Sequence, residues 1–178
     1  MLGMFDPATL EFQWRYMVHA DARVLDASRS VPDEGYDRDQ RISLGSIHKL
    51  LVHCVFSQET WLARLNGLPN PPSIDVAGVP RGAIAGRWAA VHQEMLAFAA
   101  AQTRESLESV LRFTNSRGAP FELSTGACML HVADHATYHR GQLNSMIKLA
   151  GGTPSPVMLY TFAVENGQGR EGWSEKVK

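Results

Sequence analysis

Apolar residues recur along this chain mostly at three- and four-residue intervals, the period of helices that bury one face. The first run follows Asp6-Pro7, a helix entry with aspartate as N-cap and proline at the first helical position. Leu10, Trp14, Met17, Val18, Val24 and Leu25 carry it to about residue 29. A second run opens near Ser43 and takes Leu44, Ile47, Leu51, Cys54, Val55 and Leu62 to a stop at Gly67. The third runs from about Arg81 to Gln102 through Trp88, Val91, Met95 and Phe98, with His92 beside the stripe and partly exposed. The fourth is capped by Ser124 or Thr125 and ends before Gly151-Gly152. Its apolar positions include Met129, Leu130, Val132, Leu143, Met146, Ile147 and Leu149, which predict a core helix.

The connections have a different composition. Residues 31–41 hold Pro32, Gly35 and the acidic Asp33, Glu34, Asp37 and Asp39, and read as a surface segment. Pro69, Pro71, Pro72 and Pro80 make residues 68–80 a long loop, either a surface excursion or a cleft wall. Thr103 to Glu108 reads as a separate turn, and residues 111–115 and 119–123 as a short β-hairpin with Gly118 in its turn. Such a hairpin is marginal alone and must pack on the helices. After Pro154 and Pro156 a short last helix is predicted near 157–165, with a loosely held tail from Asn166. The fold class that follows is all-α: a four-helix bundle with a short hairpin between its third and fourth helices and a short C-terminal helix, one domain over 1–178.

Composition narrows the function. With 44% hydrophobic and 20% charged residues, the chain has a globular profile, and a net charge of -1 without a basic cluster offers no footprint for nucleic acid. No apolar run approaches the ~20 residues that span a bilayer. The first six residues lack the basic and apolar regions of a secretory signal. Cys54 and Cys128 are far apart and each lies in an apolar helical context, so both read as buried free thiols in a cytoplasmic, reducing setting.

The candidate chemistry lies in the fourth run, where His131, His135 and His139 follow one another at four-residue intervals. Four residues advance a helix by about 6 Å and rotate it by about 40°, so adjacent members of this series can close on one metal ion. His131 and His139 are about 12 Å apart along the axis, too far to share it comfortably. Either adjacent pair would need a further ligand from another helix. No glutamate follows the first histidine, so this is not the zinc-protease pattern. On the second helix His48 and His53 are about 140° apart and cannot face one point. His53 sits among apolar neighbours, where an unpaired imidazole would be costly; a hydrogen bond or a metal would satisfy it. His19 reads as a polar residue on the flank of the first helix.

Three blocks of the chain resemble the DinB/YfiT-like family of metal-binding four-helix bundles. They are Phe12-Gln-Trp-Arg-Tyr16 with Ala22-Arg-Val-Leu25; Ser46-Ile47 through His53 with Glu59, Trp61, Leu62, Arg64, Leu65 and Gly67; and His131 through Gln142 with Gly152 and Pro154. The resemblance implies one ligand from the second helix and two from the fourth, which by position are His53, His135 and His139. It leaves His131 outside the set. It implies a divalent ion, zinc or nickel suiting neutral imidazoles, and pairing as a homodimer, for which apolar residues on the first and third helices could supply the interface. Met158 departs from the pattern, because an aspartate is often found about there. Some members of the family are transferases or isomerases that use low-molecular-weight thiols. The implied function is a metal-dependent, thiol-dependent transferase or hydrolase acting on a small molecule, with a non-catalytic bundle holding a structural ion as the alternative. Glu59, Tyr138, Arg140 and Gln142 are open between a part in the site and ordinary surface polarity.

Overall fold

The computed structural model describes residues 4–171; residues 1–3, at the start of the stretch read for a leader, and 172–178, the end of the predicted tail, lie outside it. Four long helices form the bundle: α1 (Pro7–Ser28), α3 (Ile47–Leu65), α4 (Arg81–Ala100) and α6 (Thr125–Leu149). Shorter elements are α2 (Asp33–Tyr36), α5 (Arg104–Glu108), α7 (Leu159–Glu165), a 3-10 turn at Val76–Gly78, and the strands β1 (Val110–Thr114) and β2 (Pro120–Ser124). Around the bundle α1 packs on α4 and α6, and α3 packs on the same two, so α1 lies diagonal to α3. The contact that a ligand set shared by the second and fourth long helices requires is present between α3 and α6. No helix among the described residues is long and apolar enough to cross a membrane.

The long helices begin and end where local chemistry dictates. Asp6 accepts from Thr9 N at 3.0 Å with Pro7 opening α1, and Ser124 accepts from Ala127 N at 3.3 Å to start α6. Each such cap supplies an acceptor for an otherwise unpaired helix amide, worth about 1 kcal/mol. Helix α3 starts later than its apolar pattern suggests, at Ser46, whose side chain accepts from Lys49 N. The reason is the preceding loop: Arg41, Ser43 and Gly45 have positive φ (56°, 53° and 95°), which no right-handed helix accommodates. Leu44 accordingly lies outside the helix and is exposed.

Other expectations are corrected in detail. The acidic segment is not wholly on the surface: it holds α2, and Val31, Gly35 and Tyr36 are buried, with the Arg81 guanidinium 3.8 Å above the Tyr36 ring. Gly35 permits this because a Cβ there would sit 3.1 Å from Ala150 Cβ. Leu130 and Leu149 face outward from α6 rather than into the core. The beginning of the tail is tied down, by Arg15 donating to Asn166 at 2.8 Å and Gln168 N donating to Ala163 O at 2.8 Å. Among the described residues, the large hydrophobics that are fully exposed include none on α1 or α4, where the apolar surface consists of half-buried side chains such as Phe12, Val18 and Leu96 and of exposed alanines.

In the hairpin β1 and β2 pair antiparallel, with Leu111 opposite Leu123 and Phe113 opposite Phe121 on one face. Arg112 and Glu122 pair on the other at 2.6 Å. The inner face is held by Phe113, whose ring meets Trp61 of α3 edge-on at 5.0 Å.

The centre of the bundle is polar at one level. Asp21 of α1 is 1% exposed and Arg140 of α6 3% exposed, and Arg140 Nη1 donates to Asp21 Oδ1 at 2.8 Å. Gln58 of α3 donates to Asp21 Oδ2 at 2.6 Å and accepts from Trp88 Nε1 of α4 at 2.8 Å. His92 of α4, buried rather than partly exposed as its register suggested, brings Nε2 to 3.3 Å from Asp21 Oδ2 without the alignment of a hydrogen bond. Each long helix thus contributes to one carboxylate-centred cluster.

Removing one member strands the others. Asp21→Ala leaves a buried guanidinium without its anion and should lower unfolding free energy by about 3–5 kcal/mol in urea titration. The double variant Asp21→Leu/Arg140→Met, which removes both charges, should recover most of that loss. A cost below about 1 kcal/mol for Asp21→Ala would show that the cluster does not hold the bundle together.

Candidate metal centre

The register of α6 sets the site. His135 and His139, one helical turn apart, project towards α3, where His53 faces them. His139 Nε2 lies 3.0 Å from His135 Nε2 and 3.2 Å from His53 Nε2, and the three ligand atoms all fall within 4.8 Å of one another. Nitrogens bound to one tetrahedral ion at 2.0–2.1 Å are separated by about 3.3 Å. His139 is buried; His53 and His135 are half-buried.

A second contact fixes which nitrogen of His139 is available. Gln142, one turn further along α6, places Oε1 2.8 Å from His139 Nδ1, and the same oxygen accepts from Ser43 Oγ at 2.9 Å. An amide oxygen only accepts, so Nδ1 carries the proton and Nε2 presents a lone pair to the other two imidazoles. At most one neighbour can donate to it well. Three ring nitrogens converging on one point, one of them fixed as an acceptor, are a donor set suited to a cation.

Burial acts in the same direction. It is the main cause that lowers the pKa of His53 and of His139 from the usual value. It lowers His135 to about 4, reinforced by repulsion from His139, His53 and His131. All three imidazoles are therefore neutral at pH 7, the state that binds metal. Burial also pushes the Cys54 and Cys128 thiols upward, so neither supplies a thiolate here.

The remaining histidines lie apart from this cluster. His48 is buried with Nε2 3.2 Å from Val76 O, His19 packs on the Phe162 ring at 5.1 Å, and His92 belongs to the Asp21 cluster. His131 is exposed with its ring tilted against Trp61 at 4.9 Å, lining the approach to the triad without entering it. Of the residues left open by the sequence, Gln142 orients a triad imidazole and Tyr138 lies exposed with its ring edge-on to His139 at 5.0 Å. Glu59 turns to α4, bonding Arg87 at 2.6 and 3.0 Å, and Arg140 is in the core. Neither of these two faces the site.

The triad opens on a cleft of about 570 Å³ to which His53 and His135 contribute. Its walls come from α3, α6 and the hairpin, with Trp61, Phe56, Phe113, Phe121 and Leu123 as the apolar lining. Helix α7 contributes nothing to the lining, so the departure at Met158 leaves the cleft unchanged. Ser43 was read in the sequence only as the opening of the second helix, whereas it lies in the preceding loop with a left-handed backbone and reaches Gln142.

A helical bundle with a hairpin at one side and three clustered histidines defines a class, and the family match agrees with it. The DinB family model matches residues 4–171, and the chain belongs to that family. It is similar to Protein DinB of Bacillus subtilis (strain 168), with 22% identity over 159 residues, covering 84% of this chain and 91% of the relative. A solved DinB-like protein from Bacillus cereus ATCC 10987 superposes with a TM-score of 0.61 at 20% identity, covering 82% of this chain and 93% of the other. A DinB-like protein of Bacillus subtilis gives 0.58 at 12% identity, covering 81% and 95%. At these identities the two structures speak for the fold.

A pH dependence follows from the lowered imidazole pKa values. In metal-free protein, His135 binds its proton only near pH 4, whereas in the unfolded chain it does so near 6.5. The unfolded state therefore binds more protons between those values, and stability falls as pH drops through that window. Urea titrations at pH 7 and pH 5 should show a smaller loss for His135→Gln than for the unaltered chain. Equal losses would mean that His135 is not held neutral.

Proposed function

We propose that this DinB family protein binds one divalent ion through His53, His135 and His139 and uses it in chemistry on a small molecule, as a transferase or hydrolase. The observation that carries this reading is that two of the three clustered imidazoles line an apolar cleft large enough for a ligand. Zinc or nickel suits three neutral imidazoles. When bound, the ion would supply Lewis-acid activation of a water or thiol at neutral pH.

The chain's own groups have separable parts in this reading. Gln142 and Ser43 hold the His139 tautomer, keeping its lone pair towards the cluster. The aromatic walls restrict water and position an apolar ligand. Both cysteines are buried with raised pKa values, so a thiol taking part would come from outside the chain. A purely structural ion is disfavoured by the Asp21 cluster, which already joins the four long helices without it.

Metal content and affinity of single alanine variants test the assignment. His53→Ala, His135→Ala and His139→Ala should each lose the ion, while His48→Ala and His131→Ala keep it. Gln142→Ala should weaken affinity by about 10- to 100-fold without abolishing it. Retention in His53→Ala, or loss in His131→Ala with retention in His139→Ala, would identify a different ligand set. Metal-free protein should remain helical and unfold cooperatively; a chain that unfolds on chelation would instead assign the ion a structural role.

A further inference from the structure

The cleft has two chemically distinct ends. Along α3, His53, Ser57, Thr60 and Arg64 follow at spacings of four, three and four residues, and all four line the cavity. Arg64 is separated from His53 by eleven residues, about 16 Å of rise and about 20° of rotation, so it lies on the same helix face near the far end. The guanidinium sits over Trp61 and Phe113, 4.8 and 5.0 Å from the ring centroids. Its Nε donates to Asn70 Oδ1 at 3.0 Å and its Nη2 to Thr114 O at 3.0 Å. Both acceptors are neutral, and Nη1 has no protein acceptor among the described residues. No carboxylate pairs with Arg64 there either, and no acidic residue lines the cavity. The aromatic rings and two fixed acceptors hold the cation in one place, while its charge is left to be met by something else.

We propose that the cleft receives an elongated apolar molecule with a carboxylate at the end remote from the histidine cluster, and that Arg64 binds this carboxylate. This rests on the reading of the cluster as a metal site only for the other end of the molecule. Arginine suits the task, since its planar fork matches a carboxylate and stacks on aromatic faces. The rings between the two ends give the apolar body its surface. Ser57, whose hydroxyl has no protein partner among the described residues, lies between the ends as a further polar contact.

The test uses the cobalt-loaded full chain and thiol probes, because a sulfur bound to cobalt gives a charge-transfer absorption. ω-Mercaptoundecanoate is compared with the neutral ω-mercaptoundecanol and the short mercaptopropionate, for the unaltered chain, Arg64→Gln and Arg64→Lys. The expected result is at least about tenfold tighter binding of the long carboxylate than of the long alcohol. Arg64→Gln should erase that preference with mercaptopropionate binding and cobalt content unchanged, and Arg64→Lys should keep part of it. Equal affinities for long carboxylate and long alcohol in the unaltered chain would overturn the proposal, as would an undiminished preference in Arg64→Gln. Calorimetric titration of undecanoate into metal-free protein reads the Arg64 end alone. Binding that Arg64→Gln loses supports the proposal even if cobalt fails to load, and no binding overturns it. Failure of cobalt loading or of the mercaptopropionate absorption instead counts against the metal site. Should Arg64→Gln not fold, Arg64→Lys and the alcohol comparison decide the matter.

Discussion

The Asp21–Arg140 ion pair is the contact on which the rest of the architecture depends. Two charges almost wholly removed from water are costly unless each is paired and hydrogen-bonded. Here the carboxylate receives Arg140 on one oxygen and Gln58 on the other, with His92 close by. Arg140 also donates to Thr137 Oγ1 at 2.7 Å, and Gln58 passes the connection on to Trp88. An apolar bundle tolerates sliding of one helix along another, because hydrophobic contact is non-directional. A buried charge pair tolerates very little, since any other register leaves it unpaired. The cluster therefore specifies how the four long helices align.

That alignment reaches the histidines directly. Arg140 follows His139 in sequence, so fixing its side chain in the core fixes the rotation of α6 that turns His135 and His139 towards α3. Gln58 does the same for α3, five residues after His53. The loop before α3 adds the last constraint, since its left-handed residues bring the Ser43 hydroxyl to Gln142. Such backbone costs on the order of 1–3 kcal/mol per strained residue and persists only where surrounding contacts impose it. Here the Asp39 side chain holds Arg41 N at 2.8 Å and Gly45 O accepts from Gln40 N at 2.7 Å. The triad is thus supported on one side by the core and on the other by a strained loop.

Much of this was legible in the sequence, and the misses have physical causes. The long helices were marked by helical apolar periods and by Asp6-Pro7, Ser124 and Gly151, because caps and stops are local chemistry. The clustering of His53 with His135 and His139 came from family resemblance, because spacing alone permits His131 with His135 equally. The choice depends on the rotation of α6 against α3, a tertiary quantity. The core cluster left a trace that went unread. Asp21 falls on the apolar stripe between Met17 and Val24, Gln58 between Val55 and Leu62, His92 between Trp88 and Met95, and Arg140 between Ala136 and Leu143. A large polar residue on every core stripe is a pattern that predicts mutual satisfaction. His92 was set beside the stripe rather than on it, and Arg140 was read as a flank of the histidine pair rather than by its place between Ala136 and Leu143. Tyr36 was missed since the burial of an acidic segment depends on Ala150 and Arg81, far away in sequence.

Three imidazoles held by this framework are proposed to bind one ion at the end of a cleft. Anomalous diffraction at the absorption edge of the bound metal, from crystals of the chain purified without a metal-affinity tag, tests this most directly. The expected result is a single anomalous peak at about 2.0–2.1 Å from the Nε2 atoms of His53, His135 and His139, with a coordination position facing the cleft. A peak shared by His131 and His135, or a fourth protein ligand closing that position, would contradict it.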